Sequence, residues 1–415
     1  MTTDPSARGQ PPVERHAGGP PRERDGAARL ATLWTIVFAS MLGFGITIVP
    51  FPVVAEQFGA SPFWITWGGT GSFALAQAIS TPALGKLSDR IGRKPVLVLG
   101  SMVAILAYLW AAFADSFVSL LAARAFAGLA SGYLSAAFAY VADVSPPQTL
   151  ARRMGLLGSA FGLGFAGGPL LGGVLGQAAD GSATLFGPCL FAAGLSFLGL
   201  LGTVFAIRES LPAHKGGAQA AAAQASAEPL SPTARAALLG AGAAMLAISS
   251  GISALQSLYP IWGRDVFQLE LAAVGLHFAV FSGCTALGQL VLIGPLARRL
   301  GDRRVMLSSL AGAAAGLALY ASAPTVAFVW VADLLCGTSI GLFSPASSSV
   351  VSTVAPPARR GAILGLFNAT SAAGRVIGPA YAGAAYALAR PAPFVLAAIL
   401  VATTSALLLA RRVRD

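Results

Sequence analysis

The chain has 415 residues, of which 55% are hydrophobic and only 10% charged, with a mean hydropathy of +0.72. That is too apolar for a soluble domain of this length, so the chain must cross a bilayer many times. The formal net charge of +11 raises the possibility of a nucleic-acid binder, but the placement of the basic residues excludes it.

In chain order, residues 1–29 are rich in Pro, Arg and Gly without an apolar core, and read as a disordered cytoplasmic tail rather than a signal or transit peptide. Apolar stretches then begin near Leu30, Pro62, Val96, Val118, Met154, Leu185, Ala236, Leu271, Val305, Val326, Ala362 and Pro393. Each runs for roughly 19 to 25 residues, about what a 30 Å hydrocarbon core requires. The expectation is an all-α membrane protein of about twelve transmembrane helices in two pseudo-symmetric six-helix bundles, 30–207 and 236–411. Residues 208–235, rich in Ala, Gln, Ser and Gly, read as a flexible cytoplasmic linker, and 412–415 as a short cytoplasmic tail.

With both termini cytoplasmic, all but four of the 27 Lys and Arg residues fall in the tails and in the loops on that side. Arg264 and Arg390 lie in the opposite loops, and Arg124 and Arg375 within apolar stretches. The asymmetry orients the chain, with the Lys/Arg-rich face inside. Trp64, Trp67, Trp110, Trp262 and Trp330 fall near outer helix ends and Trp34 near an inner one, as in an aromatic belt, although any one of them also suits a core. Cys189, Cys284 and Cys336 have no metal-ligand spacing and read as packing residues. No phosphate-binding loop, metal cluster or catalytic constellation is visible, so no enzymatic activity, metal or cofactor is expected.

The two halves are copies at an offset of about 209 residues. Gly85, Gly92, Gly128 and Gly132 recur as Gly294, Gly301, Gly337 and Gly341, and Gly164, Gly168 and Pro169 recur as Gly374, Gly378 and Pro379. Gly164, Gly168, Pro169, Gly172 and Gly173 form G-x-x-x-G-P-x-x-G-G inside one apolar stretch. The small residues permit close helix approach, and the proline removes a backbone donor where a bend is useful.

Charge inside the membrane costs about 2.5 kcal/mol or more at the bilayer centre, which makes Asp333, Arg124, Arg375 and His277 candidates for proton coupling, Asp333 first. Arg124 and Asp333 occupy equivalent positions in the two halves, where they either face the central cavity, form a fixed ion pair or are satisfied separately.

The segment Gly85-Lys86-Leu87-Ser88-Asp89-Arg90-Ile91-Gly92-Arg93-Lys94-Pro95, with a degenerate copy from Gly294 to Arg304, resembles the loop signature of major facilitator superfamily transporters. The G-x-x-x-G-P-x-x-G-G run, and Arg124 with Gly128, resemble motifs of that family's drug:proton antiporters. Ala142 to Pro147 and Gly155 to Phe165 are most similar to its tetracycline-efflux branch.

From the residues themselves, Gly85, Asp89, Arg90, Gly92, Arg93 and Lys94 suit a conformational latch in which Arg93 reaches Asp143. In the alternative, the basic residues there only enforce topology. Phe38, Met41, Phe44 and Ile48 form an apolar stripe suited either to a cavity wall or to core packing. The resemblance adds Gln77, Ser131, Tyr133, Ser253, Gln256, Gln289, Asn368 and Ser371 as cavity candidates. It implies a monomeric secondary transporter in the cytoplasmic (inner) membrane, driven by the proton gradient without a cofactor, whose partners are a small-molecule substrate, protons and membrane lipids. The expected activity is export of a small amphipathic compound or drug by proton antiport and alternating access. A facilitator or proton symporter of a small metabolite is the alternative, favoured by the absence of an acid in the first stretch, and a non-transporting membrane sensor is the second.

Overall fold

The computed structural model describes residues 23–209, 231–356 and 359–412. Most of the expected N-terminal tail and linker therefore lies outside the described residues. Helix α1 spans Glu23–Ile46 and is followed by the short helix Pro50–Gln57; α2 combines Pro62–Thr66, a π-helical turn at Trp67–Gly71 and Ser72–Ile91. Helix α3 is Arg93–Ala112, α4 is Phe117–Ser131 continued by Leu134–Val144, α5 is Pro147–Leu175 and α6 is Phe186–Ala206. The second set opens with α7, Pro232–Phe267, followed by α8, which combines Leu271–Leu287, a π turn at Gly288–Leu292 and Ile293–Leu300. Helices α9, Asp302–Ser322, α10, Val326–Val354, α11, Arg360–Leu388, and α12, Ala392–Arg412, complete it.

Ten of these helices are long and apolar enough to cross a membrane. The other two, α2 and α11, are the less apolar members: α2 carries Lys86, Asp89 and Arg90 at one end, and α11 carries Arg360, Asn368 and Arg375. Helix α1 begins at Glu23, earlier than the apolar pattern indicates, because a helix continues beyond the apolar stretch that anchors it.

Packing explains the duplicated glycines. A Cβ at Gly128 of α4 would lie closer than 3.0 Å to the Phe73 carbonyl oxygen of α2, and one at Gly337 of α10 would meet the Phe281 carbonyl oxygen of α8 in the same way. Likewise Gly164 and Gly168 of α5 press on Phe38, Met41, Leu42 and Gly45 of α1, while Gly374 and Gly378 of α11 press on Leu246, Ser249 and Ser250 of α7. The internal repeat is thus a repeat of backbone-to-backbone contacts, which only small residues allow. Pro169 and Pro379 sit inside continuous helices.

The two halves touch at the face opposite the Lys/Arg-rich loops. There Gly173 of α5 abuts Leu271 of α8, Gly275 of α8 abuts the Pro169 carbonyl, and Gly383 of α11 abuts Pro62 and Thr66 of α2. Thr66 Oγ1 donates to the Pro379 carbonyl at 2.8 Å. Toward the basic face, glycines at 155 and 158 on α5 and at 361 and 365 on α11 have no neighbour within 4 Å of a would-be Cβ.

These contacts give a paired prediction. Gly128→Val and Gly337→Val are each expected to destabilise the protein by about 1–3 kcal/mol through overpacking, read as a lower thermal unfolding midpoint in detergent. Gly155→Ala is expected to leave that midpoint unchanged or raise it.

Candidate functional site

Between the halves, on the basic side of their contact, lies a cavity of about 340 Å³. Phe44, Thr70, Phe161 and Phe165 form its wall on one side, and α7, α8, α10 and α11 form the other. Of the residues the sequence marks for a cavity, Phe44, Ser253, Gln256, Gln289, Asn368 and Ser371 line it. Phe38, Met41, Gln77, Ser131 and Tyr133 are not among its lining residues.

The expected stripe on α1 is therefore mainly packing. Met41 is buried against Gly164, Ile48 is in the core, and Phe38 stacks on Trp34 at 5.0 Å, because the α5 glycines draw that helix onto this side of α1. Ser131 returns its hydroxyl to the Gly128 carbonyl at 2.7 Å, and Tyr133 packs on Gly100 of α3. Trp64 and Trp110 are exposed as belt residues should be, but Trp262 is a core residue, enclosed by Phe394 at 5.0 Å and Phe267 at 5.2 Å.

The intramembrane charges do not pair with one another across the halves. Arg124 donates from Nε to the Gly69 carbonyl at 3.0 Å, with Phe44, Phe51 and Phe73 packed around its guanidinium at 5.0 to 5.9 Å. That is a backbone anchor within an aromatic cage. Asp333 of α10 instead faces His277 of α8, with Asp333 Oδ2 and His277 Nδ1 2.6 Å apart, and it accepts a hydrogen bond from the Tyr320 hydroxyl of α9. The His277 ring stacks on Trp330 at 3.6 Å, and Tyr259 of α7 closes the group at 5.6 Å from that ring.

Asp333 and His277 are each 2% exposed, so the pair is shielded from water. A small enclosed space beside them is lined by Leu255, Gln256, Tyr259, Phe278 and Phe281 as well as the pair. Gln256 and Phe281 also line the large cavity, so a single layer of side chains separates the two. Sequence reading found Asp333 and His277 but missed Tyr320 and Tyr259, which lie on other helices, and took Trp330 for a belt residue although it precedes Asp333 by one turn on α10.

Arg375 of α11 lines the large cavity, its Nε buried without a hydrogen-bond partner. Ser253 donates to its backbone carbonyl at 3.1 Å, and Ser249 and Ser371 hydrogen-bond to each other at 3.0 Å nearby.

The α2–α3 loop is organised as its motif suggests. Gly92 holds φ +105°, a conformation that favours glycine, and its counterpart Gly301 holds φ +81°. Arg93 meets Asp89 at 2.6 Å and Asp143 at 3.1 Å, and donates to Ser88 Oγ at 2.6 Å. Glu209, beyond α6, accepts from the backbone N–H groups of Arg93 at 2.9 Å and Lys94 at 3.1 Å, a partner the sequence does not advertise. These contacts join α2, α3, α4 and the chain after α6 within the first half.

At the opposite face, Arg264 of α7 pairs with Glu56, beyond α1, at 2.6 Å, and with Asp265 at 2.9 Å. The Tyr386 hydroxyl of α11 donates to Asp265 Oδ2 at 2.9 Å. This cluster spans the two halves. An exposed pair of this kind contributes about 0.2–1 kcal/mol, so Arg264→Ala is expected to speed the labelling of Thr66→Cys by an impermeant maleimide about 1.4- to 5-fold over the Thr66→Cys parent.

Two six-helix sets, duplicated in sequence and in packing, enclosing a polar and aromatic cavity open toward one face, define a membrane transporter of the two-bundle type. The model of the Major Facilitator Superfamily matches residues 33–273 and 244–415, and the chain belongs to that family. It is 31% identical over 319 residues to the class C tetracycline resistance protein of Escherichia coli, covering 76% of this chain and 78% of that protein. To the class G tetracycline resistance protein of Vibrio anguillarum it is 31% identical over 340 residues, covering 80% and 81%. Among solved structures, the human organic anion transporter MFSD10 superposes with a TM-score of 0.66 at 24% identity, covering 94% of this chain and 100% of that one. A bacterial homolog of the human lysosomal transporter Spinster, solved inward-facing and occupied, gives 0.75 at 15% identity, covering 95% and 98%.

Proposed function

We propose that the protein exports a small amphipathic compound across the cytoplasmic membrane in exchange for protons, by alternating access. The observation that carries this reading is the cavity itself. It is sealed at one face by Thr66, Gly383 and the Arg264–Glu56 pair, and one side-chain layer separates it from the buried His277–Asp333 pair. The positive-inside asymmetry makes the Lys/Arg-rich face cytoplasmic, so the conformation is the inward-open one, ready to load substrate from the cytoplasm. The tetracycline resistance proteins among its relatives support an exported drug or drug-like molecule.

The energetics suffice without ATP. One charge moving down 100 mV releases about 2.3 kcal/mol, enough for a substrate gradient of roughly fiftyfold. The buried pair supplies the exchange by taking up a proton when the site communicates with the outer side and giving it up when it communicates with the cytoplasm, the two conformations differing in its access to water.

In proteoliposomes, Asp333→Asn is expected to abolish substrate-dependent proton movement while leaving downhill substrate exchange measurable. Proton coupling unchanged from the parent would remove Asp333 from the mechanism. Substrate flux without protons in the parent protein would instead support a facilitator.

A further inference from the structure

We infer that Arg375 is the anchor for an anionic group on the substrate, so that this cavity selects amphipathic anions over neutral or cationic molecules of the same shape. The inference rests on the transport reading and names the substrate class for its cavity. Among the described lining residues Arg375 is the sole ionisable side chain, with no Asp or Glu to neutralise it. No described carboxylate is paired with it, and its Nε is buried without an acceptor. A guanidinium is permanently charged and presents its donors as a planar fork that fits a carboxylate or sulfonate. Arg375 is half-buried, and a guanidinium partly withdrawn from water gains from a ligand that supplies the missing charge.

The neighbouring chemistry fits the same ligand. Asn368 precedes Arg375 on α11 and Gln256 faces the cavity from α7, giving amide donors around the head group, while Ser253 is already engaged with the Arg375 backbone carbonyl. Phe44, Phe161, Phe165, Phe281 and Phe343 supply an aromatic wall for an apolar body. Arg124, the other arginine that the sequence places within an apolar stretch, is absent from this lining and is enclosed by Phe44, Phe51 and Phe73, so it does not compete for the anion.

Arg375 also lies one turn before Pro379, whose carbonyl accepts the inter-half hydrogen bond from Thr66. An anion drawn to Arg375 therefore binds next to the seal that must open to release it.

The test is a charge series on one aromatic body: 1-naphthoate, 1-naphthalenemethanol and 1-naphthylmethylammonium, titrated calorimetrically into the full-length protein in detergent. The expected result is that naphthoate binds at least about tenfold more tightly than the alcohol, with the ammonium weakest. In Arg375→Gln the three affinities are expected to fall within about threefold of one another, the alcohol's being unchanged, while Arg375→Lys keeps part of the anion preference. Equal or tighter binding of the ammonium by the parent protein, a comparison that needs no variant to fold, overturns the proposal. So does an anion preference that survives in Arg375→Gln. Flux of the same probes into proteoliposomes under a proton gradient separates the two readings. Anion-selective binding without flux defeats the transport proposal and leaves the anion site standing, whereas proton-driven flux of the ammonium without anion selectivity does the reverse.

Discussion

The structure depends on one constraint: inside a bilayer, apolar side chains gain nothing by leaving lipid for one another, so helices must be held by close backbone contact and by a few satisfied polar groups. Glycine meets the first requirement at Gly128, Gly164 and Gly168, and again at Gly337, Gly374 and Gly378, where neighbouring carbonyls leave no room for a Cβ. The same device joins the two halves at one face through Gly173, Gly275 and Gly383. Because these inter-half contacts rely on fit and a few hydrogen bonds rather than on expelling water, they can be exchanged for an alternative set at modest cost. That property suits a transporter that rocks between two states.

On this repeated scaffold the halves have diverged in chemistry. At equivalent positions, Arg124 anchors the α2 backbone inside a phenylalanine cage, while Asp333 joins His277 and Tyr320 in a buried hydrogen-bonded group. The polar lining of the cavity comes largely from the second half, and the first half contributes mainly Phe44, Phe161 and Phe165. The ion pairs are divided by face: the Arg93 cluster ties the first half together at the basic face, whereas Glu56 and Arg264 bridge the halves at the other. The Arg264–Glu56 pair lies near water, where it is weak enough to break and reform, whereas Arg93 is buried among its partners.

The fold was largely legible in the sequence because its determinants are local: apolar length, the positive-inside bias and glycines recurring at a fixed offset. The pairing of Arg93 with Asp143 was legible for a related reason, since both sit at ends of neighbouring helices in the same half. The site was legible only in part. Polar residues on α7 and α11 could be placed on the cavity because the family resemblance says which helices surround the pathway, but Met41 and Phe38 were not separable from core residues by spacing alone. What escaped were partners brought together by tertiary packing. Glu209 beneath Gly92 comes from the chain after α6, Tyr320 on Asp333 from α9 and Trp330 on His277 from α10, each meeting a partner on a different element. The equivalence of Arg124 and Asp333 left three arrangements open, and neither residue lines the large cavity: each is satisfied separately within its own half, by partners that symmetry of position does not reveal.

The central claim is that the seal at one face and the opening at the other are alternatives of a single rocking motion. Double electron–electron resonance on spin labels in proteoliposomes tests it directly, with one pair at Arg152 and Arg360 on the basic face and another at Gln57 and Glu270 on the opposite face. The account predicts reciprocal change between the conditions that populate the two states: the basic-face distance shortens as the opposite-face distance lengthens. Distances that stay fixed under every combination of substrate and pH, or that lengthen together, would contradict it.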